Sequence, residues 1–309
     1  MGTPGQEQAG TTQQSETGLS ATLDALLSPA TESERERRRI LALCAPFGLL
    51  VLVAGAYPLW EAVRMSVSVE PYESVGFTLD AYAELFGDPY YRGVALNSLW
   101  FATATTLASV GIAVPIAHAL EKYDLPGEGL WVTLVSFPIS LPGIVAAFMI
   151  LVWFGNTGVL TNLLAAVAGQ EPRRVAIATS VPGLFLAFLY SMIPRSTLIL
   201  RGTYAELDHA AEEAAQALGA TPWQTFRYVT LPQIRPGIIG AFILTFRTAL
   251  AIFGTLIVIS ALLVWTLQID RELAGGAFPL AGAMAVVFFA FTFLFTVLGL
   301  RYTSAEVGL

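Results

Sequence analysis

The chain has few residues of the types that carry catalysis or bind metals. Its 309 residues include one cysteine, Cys44, two histidines, His118 and His209, and one lysine, Lys122. A single cysteine excludes an intrachain disulfide framework, and two distant histidines exclude an HExxH zinc helix. The lysine follows Glu121 instead of the glycine of a GxxxxGK[ST] phosphate loop. We therefore predict no catalytic residue, no metal site and no cofactor bound by this chain.

Charge is also scarce. Only 13% of the residues are charged and 55% are hydrophobic, whereas about 25% are charged in a typical soluble domain. The hydrophobic residues form long runs, which excludes a soluble enzyme and a disordered protein. They also exclude a free nucleic-acid binder, so we expect no nucleic-acid partner. The composition predicts an all-α integral membrane protein in a lipid bilayer.

Six segments are apolar for about the 20 residues that a membrane-spanning helix needs. Residues 1–38 are rich in polar and small residues and are expected to form a disordered cytoplasmic tail. Residues 39–309 are expected to form the membrane domain. The predicted spans are about 40–60, 95–120, 130–154, 175–199, 236–265 and 277–300.

The basic residues predict the orientation of the spans. The charged cluster Glu34–Arg39 precedes the first span. Lys and Arg are more frequent in the segments on the same side of the membrane as this cluster than in those on the other side. Because positive residues concentrate in cytoplasmic segments, the N-terminus is expected inside. Six spans then place both termini in the cytoplasm of a multi-pass cell-membrane protein.

The loop 201–235 between spans four and five predicts two helices around a glycine turn. Gly219 is placed where a left-handed residue ends a helix. Thr221 and Gln224 fit a capping box with Pro222 in the first turn, and Leu231-Pro232 is expected to stop the second helix. The apolar face of the first helix is expected to contain Leu207, Ala211, Ala214 and Leu218.

The order of residues in this loop resembles the EAA loop of ABC importer permeases. The matching residues are Glu213, Ala214, Ala215, Gly219, Val229, Leu231 and Pro232, with Val229 where the family usually has isoleucine. The resemblance implies that this EAA-type coupling loop docks on a separate ATP-binding subunit, which holds ATP and Mg. It also implies a second permease subunit, identical or paralogous, and an extracytoplasmic substrate-binding protein.

Three other interpretations of the chain remain open. The loop could be an amphipathic hairpin packed on its own bundle, or a DNA-binding helix-turn-helix, although its acidic residues outnumber its basic ones. The whole chain could be an ATP-independent secondary transporter or channel. Such carriers usually place acids inside their spans, and the six segments contain Asp or Glu only at their ends.

The substrate is predicted from softer similarities. Residues 77–86 and 137–145 are similar to permeases for spermidine/putrescine, iron and thiamine, so a polyamine or similar small solute is expected. Iron, thiamine, sugar and an inorganic anion remain alternatives. Molybdate and sulfate permeases usually have Gly-Glu-Phe-Gly in span five, where this chain has Ala251-Ile-Phe-Gly254 without the acid.

Two residues are predicted to line the pathway, Arg247 and Asn97. A charge in the middle of a span costs about 2.5–3.5 kcal/mol on insertion scales, so Arg247 is expected to face a cavity or a partner. An arginine suits an anionic substrate better than a polyamine cation. Arg195 is expected to extend to the cytoplasmic interface, and His118 to be structural.

Overall fold

The computed structural model of the protein describes residues 32–69 and 76–307. These residues fall in two compact units, 1–61 and 62–309. The first unit contains helix α1 (Glu32–Val51), a π-helical turn (Leu52–Ala56) and the start of α2 (Tyr57–Ser66). The predicted tail falls mostly on residues 1–31, which lie outside the described residues. For residues 32–38 the prediction is wrong, because this Glu- and Arg-rich stretch of good helix formers is already helical.

The second unit is also built of helices, and its longest helices are joined by short helical pieces. In chain order they are α3 (Asp80–Gly87), α4 (Pro89–Lys122), α5 (Glu128–Ser136), a 3₁₀ turn (Phe137–Ser140), α6 (Gly143–Phe154), α7 (Val159–Ala168), α8 (Pro172–Val175), α9 (Val181–Ala205), α10 (His209–Ala217), α11 (Pro222–Thr225), a π turn (Phe226–Thr230), α12 (Leu231–Ala251), α13 (Gly254–Val258), α14 (Trp265–Ala274) and α15 (Phe278–Val307).

The described residues contain six helices long and apolar enough to cross a membrane, which confirms the predicted number of spans. Their bounds are Glu36–Ser66, Pro89–Lys122, Gly143–Ala168, Val181–Ala205, Pro222–Ala251 and Phe278–Gly299. The third and fifth differ most from the predicted bounds.

The third span begins later than predicted. Pro138 and Pro142 each lack a backbone N–H, and they separate α5 from α6 through the 3₁₀ turn. The apolar run from residue 130 is therefore divided, and the candidate span begins at Gly143.

The fifth span ends at Ala251 instead of residue 265, and the partly buried segment that follows is irregular apart from the short helix α13. Two side chains of α4 form hydrogen bonds with backbone groups of this segment that are not paired within a helix. Asn97 Nδ2 donates to Leu263 O at 3.2 Å, and Ser98 Oγ accepts from the Trp265 N–H at 2.7 Å. Irregular backbone at membrane depth requires such partners.

Helices α4, α9 and α12 form the centre of the second unit, and small residues allow their close contact. Ala113, Ala117 and Ala241 are completely buried between them. At Gly237 of α12 a Cβ atom would lie 2.1 Å from Thr203 Oγ1 of α9, so only glycine fits without a shift of the helices. This packing fixes the end of α9, from which the loop begins.

Candidate coupling loop and membrane cavity

The loop begins with α10, which ends in the predicted glycine turn. Gly219 has φ +88°, in the left-handed region. The Ala220 N–H donates to Ala215 O at 3.0 Å, and the Gly219 N–H donates to Gln216 O at 2.9 Å. These two bonds make a Schellman motif, which satisfies carbonyls at the end of the helix. The prediction for Gly219 is confirmed.

The second helix of the loop has the predicted start but not the predicted end. The Gln224 N–H donates to Thr221 Oγ1 at 3.3 Å, and the Thr221 N–H donates to Gln224 Oε1 at 2.8 Å, which forms the capping box. The expected stop at Leu231-Pro232 is wrong, because the helix continues through the π turn into α12. Pro232 has no backbone N–H, and it directly follows the π turn, in which the Leu231 N–H donates to Phe226 O.

The expected apolar face of α10 is also wrong. Ala214 is exposed and Leu218 is 90% exposed. The helix begins only at His209, after Asp208 Oδ1 accepts from the Ala210 N–H at 3.0 Å as an N-cap. Leu207 is therefore outside the helix, and its spacing from the later residues does not define a common face. The residue that α10 buries is Glu212, which is 7% exposed.

The Glu212 carboxylate anchors α10 to two other helices. It forms an ion pair with Lys122 at the end of α4 and accepts a hydrogen bond from Thr230, before α12. His209 Nδ1 lies 3.7 Å from the carboxylate and 3.0 Å from Lys122 Nζ. Burial alone would raise the pKa of Glu212, but the hydrogen bonds from Lys122 and Thr230 outweigh it, so the pKa lies below its ordinary value.

A second ion pair lies beside the first. Arg201 of α9 pairs with Glu121, the residue before Lys122. The end of α4 therefore contacts α9 through Glu121 and the loop through Lys122. His118 Nδ1 lies 3.2 Å from Tyr204 Oη, which supports the structural role predicted for this histidine.

The loop also borders an open groove of about 420 Å³. Leu218 and Tyr228, which is 71% exposed, are its largest apolar side chains. The complete lining, called the loop groove below, is Ala215, Leu218, Gly219, Ala220, Gln224 and Tyr228. Of the other EAA-type residues, Glu213, Ala214 and Pro232 are exposed, while Val229 and Leu231 are half-buried.

A different cavity, open on one side and of about 260 Å³, is lined by residues of α9 and α12 and by Ile139 of the 3₁₀ turn. Arg195 lines it, with its guanidinium folded back along α9: Nη1 donates to Ser191 O at 2.5 Å and to Ser191 Oγ at 2.6 Å. The expectation that Arg195 extends to the cytoplasmic interface is therefore wrong. Ser191 lies one turn toward the N-terminal end of α9, and the hydrogen bonds hold the charge at that level.

The structure separates the two residues predicted for the pathway. Arg247 is exposed on α12, on the same side as Leu244 and Thr248, which line the cavity. Asn97 is half-buried in α4, where it bonds Leu263 O and accepts from Trp100 Nε1 at 3.3 Å. It thus holds the irregular segment before α14. A role in the pathway stays a prediction for both residues.

Residues 109–304 match the family model described as binding-protein-dependent transport system inner membrane component. The chain belongs to this family of ABC importer permeases. The matched region begins in the second half of α4 and ends within α15, so it includes the loop and the cavity.

Several relatives of the permease have names of inorganic-anion transport systems. It is 30% identical over 173 residues to the molybdate/tungstate transport system permease protein WtpB of Thermococcus kodakarensis, a match that covers 56% of this chain and 62% of the relative. It is 27% identical over 212 residues to the sulfate transport system permease protein CysW of a Synechocystis species, covering 69% and 74% of the two chains. Their names do not support the polyamine expected from the sequence.

The solved structures of similar fold include a bacterial ABC transporter involved in the import of the acidic polysaccharide alginate. The permease superimposes on a chain of it with a TM-score of 0.76 at 17% identity, covering 89% of this chain and 98% of that one. At this identity the likeness concerns the fold alone. It confirms the predicted all-α fold of an ABC importer permease.

Proposed function

We propose that this permease forms half of the translocation pathway for a small inorganic oxyanion of the sulfate or molybdate class. One observation carries the choice of an anion: the charged residues near the middle of the described candidate spans are the arginines Arg195 and Arg235, whereas the carboxylates within those spans, like Arg247, lie toward span ends. Charges inside spans usually face the bundle or a cavity and mark ion pathways. The names of the relatives support the same class of substrate.

The polyamine alternative conflicts with these charges. A polyamine is a cation, and its recognition in a membrane pathway needs acidic or aromatic groups. Arg195, which lines the cavity, would repel it. The absence of the Gly-Glu-Phe-Gly acid at residues 251–254 does not decide the question, because this stretch contains the break between α12 and α13.

The loop groove is proposed as the docking surface for a separate ATP-binding subunit. Leu218 and Tyr228 are exposed beside a rigid glycine turn, an arrangement typical of anchor residues in interfaces. Glu213 and Ala214 are also accessible there. Movement of the ATPase would reach α4 through the Glu212–Lys122 ion pair and α12 through the continuous helix from Pro222.

The remaining partners follow from the proposed function. One permease chain would pair with a second permease, identical or paralogous, and receive its substrate from an extracytoplasmic binding protein. ATP and Mg would be bound by the ATPase subunits. The loop must then face the cytoplasm, which places both termini there, as the basic cluster before α1 predicts.

Co-purification tests the docking surface. Leu218→Arg places a charge in the groove at a residue 90% exposed, so the permease itself should fold while the ATPase is lost from the complex. Ala205→Arg, at an exposed residue outside the groove, is the matched control and should retain the ATPase. Retention of the ATPase by Leu218→Arg would contradict the proposed docking surface.

Cellular uptake tests the substrate. Cells in which this chain is deleted should lose uptake of one of the oxyanions molybdate, tungstate and sulfate, and regain it when the chain is restored. Putrescine and spermidine uptake should not change. Loss of polyamine uptake with normal uptake of all three oxyanions would show that the substrate class is wrong and the polyamine prediction right.

A further inference from the structure

We infer that Arg195 and Thr248 form an anion-binding site in the cavity between α9 and α12. The inference rests on the proposed function and names the side chains that would hold the oxyanion in this half of the pathway. The cavity is lined by Ile139, Arg195, Leu198, Ile199, Leu244, Thr245 and Thr248.

The guanidinium of Arg195 is positioned but not neutralised. Its Nη1 is held by Ser191 O and Ser191 Oγ at 2.5 and 2.6 Å. Across residues 32–69 and 76–307, no carboxylate forms an ion pair with it. Nε and Nη2 make no hydrogen bond to those residues, so they can bond two oxygens of one anion. A planar guanidinium matches the geometry of an oxyanion in this way.

The apolar walls of the cavity strengthen the attraction between this guanidinium and an anion. Leu198, Leu244 and Ile139 are apolar, and Arg195 is half-buried among them. The attraction between opposite charges grows as water is excluded and the effective dielectric falls. The cavity volume of about 260 Å³ is several times the roughly 30 Å³ that one water molecule occupies in the liquid. A small tetrahedral oxyanion therefore fits beside the guanidinium.

A hydroxyl group on α12 can complete the site. Thr248 Oγ1 donates to Leu244 O of its own helix at 2.8 Å, and a hydroxyl can rotate toward a better acceptor. Thr245, the other hydroxyl of the lining, is already paired with Ser196 at 2.9 Å. Thr248 is thus the adaptable donor. The anion would be held between a charge on α9 and a hydroxyl on α12, two helices that contact each other closely at Gly237.

The experiment uses the whole complex, purified with its ATPase and reconstituted in proteoliposomes with its binding protein. Uptake of molybdate, tungstate and sulfate is measured for the wild type and for Arg195→Met, Arg195→Lys and Thr248→Val. The matched control is Arg301→Met, which removes an exposed charge from α15 beyond the end of the sixth candidate span.

We expect uptake to fall at least tenfold in Arg195→Met and about threefold in Thr248→Val. Arg195→Lys should be intermediate, because lysine keeps the charge but loses the two-pronged geometry. ATP hydrolysis stimulated by the loaded binding protein should remain within twofold of the wild type in each variant, because the coupling loop is unchanged. A merely structural role for Arg195 would lower hydrolysis and uptake together.

Two results would overturn the site: wild-type uptake by Arg195→Met, or equal losses in Arg195→Met and Arg301→Met. If Arg195→Met fails to assemble, Thr248→Val decides, since valine has the shape of threonine; unchanged uptake in that variant would refute the site. Absence of oxyanion uptake by the wild type would instead refute the proposed function.

Discussion

Removing the charge of Glu212 should lower the local stability of α10, whereas removing the charge of its neighbour Glu213 should not. The Glu212 side chain is 10% exposed and the Lys122 side chain 16% exposed, so solvent screens their attraction only partly. Glu212→Gln leaves the lysine without its counter-charge. Hydrogen bonds to charged groups contribute about 1.5–3 kcal/mol, and we expect a loss of about 2 kcal/mol in the local stability of the loop.

Hydrogen exchange of the backbone amides measures this loss directly. A change of about 2 kcal/mol corresponds to roughly thirtyfold faster exchange through local opening. The effect should be confined to α10 and the following turn, residues 209–220. Glu213→Gln removes an exposed charge from the adjacent residue and should change exchange less than twofold. Equal exchange in the two variants would refute the role assigned to the Glu212–Lys122 ion pair.

The same anchor predicts a pH dependence. The pKa of Glu212 is lowered in the folded loop because hydrogen bonds from Lys122 and Thr230 outweigh the effect of burial. The carboxylate therefore contributes its full stability above its ordinary pKa of about 4.3, and this stability is lost as the pH falls through the lower folded value. After correction for intrinsic rates, opening of α10 should be constant from about pH 8 to 5 and increase below about pH 4. An increase near pH 6 would contradict this assignment.

Three further predictions concern single residues. Gly219→Val should lower the stability of the turn by about 1–2 kcal/mol, because valine is strained in the left-handed backbone conformation, and should lower the transport rate. Gly219→Asn should keep most of the wild-type transport rate. Equal rates in the two variants would contradict the need for this conformation. Gly237→Ala should lower the melting temperature of the complex because its Cβ would overlap Thr203, whereas Gly240→Ala, whose Cβ would meet no atom within 4 Å, should not. Asn97→Ala should lower the stability of the permease by about 1–3 kcal/mol, because it leaves Leu263 O without its hydrogen bond. Thermal unfolding measures this loss, and an unchanged melting temperature would show that water replaces the amide.

Local signals in the sequence were enough to predict the glycine turn and the start of the second loop helix. Gly219 and the pair Thr221 and Gln224 act over a few residues, so their conformation depends little on the rest of the chain. The number of spans was predictable for a similar reason, because each needs its own apolar run. The bounds of the spans were less predictable. The prolines before Gly143 interrupt an apolar segment that hydropathy alone treats as one continuous span.

The residues that depend on distant partners could not be predicted. The sequence does not distinguish Glu212 from the adjacent Glu213, and only the packing of α10 brings Glu212 to Lys122, which belongs to a helix much earlier in the chain. The apolar spacing around Leu218 was misleading because Asp208 starts the helix later than the pattern implied. The direction of Arg195 depends on Ser191, a hydrogen bond that spacing permits but does not require.

ATP-driven uptake by the purified complex tests the central claim most directly. Proteoliposomes containing the wild-type complex, its binding protein and internal ATP with Mg should accumulate one of the oxyanions molybdate, tungstate and sulfate. Accumulation should stop when ATP is replaced by a non-hydrolysable analogue. Oxyanion accumulation that continues without ATP hydrolysis would contradict the account and indicate an ATP-independent transporter.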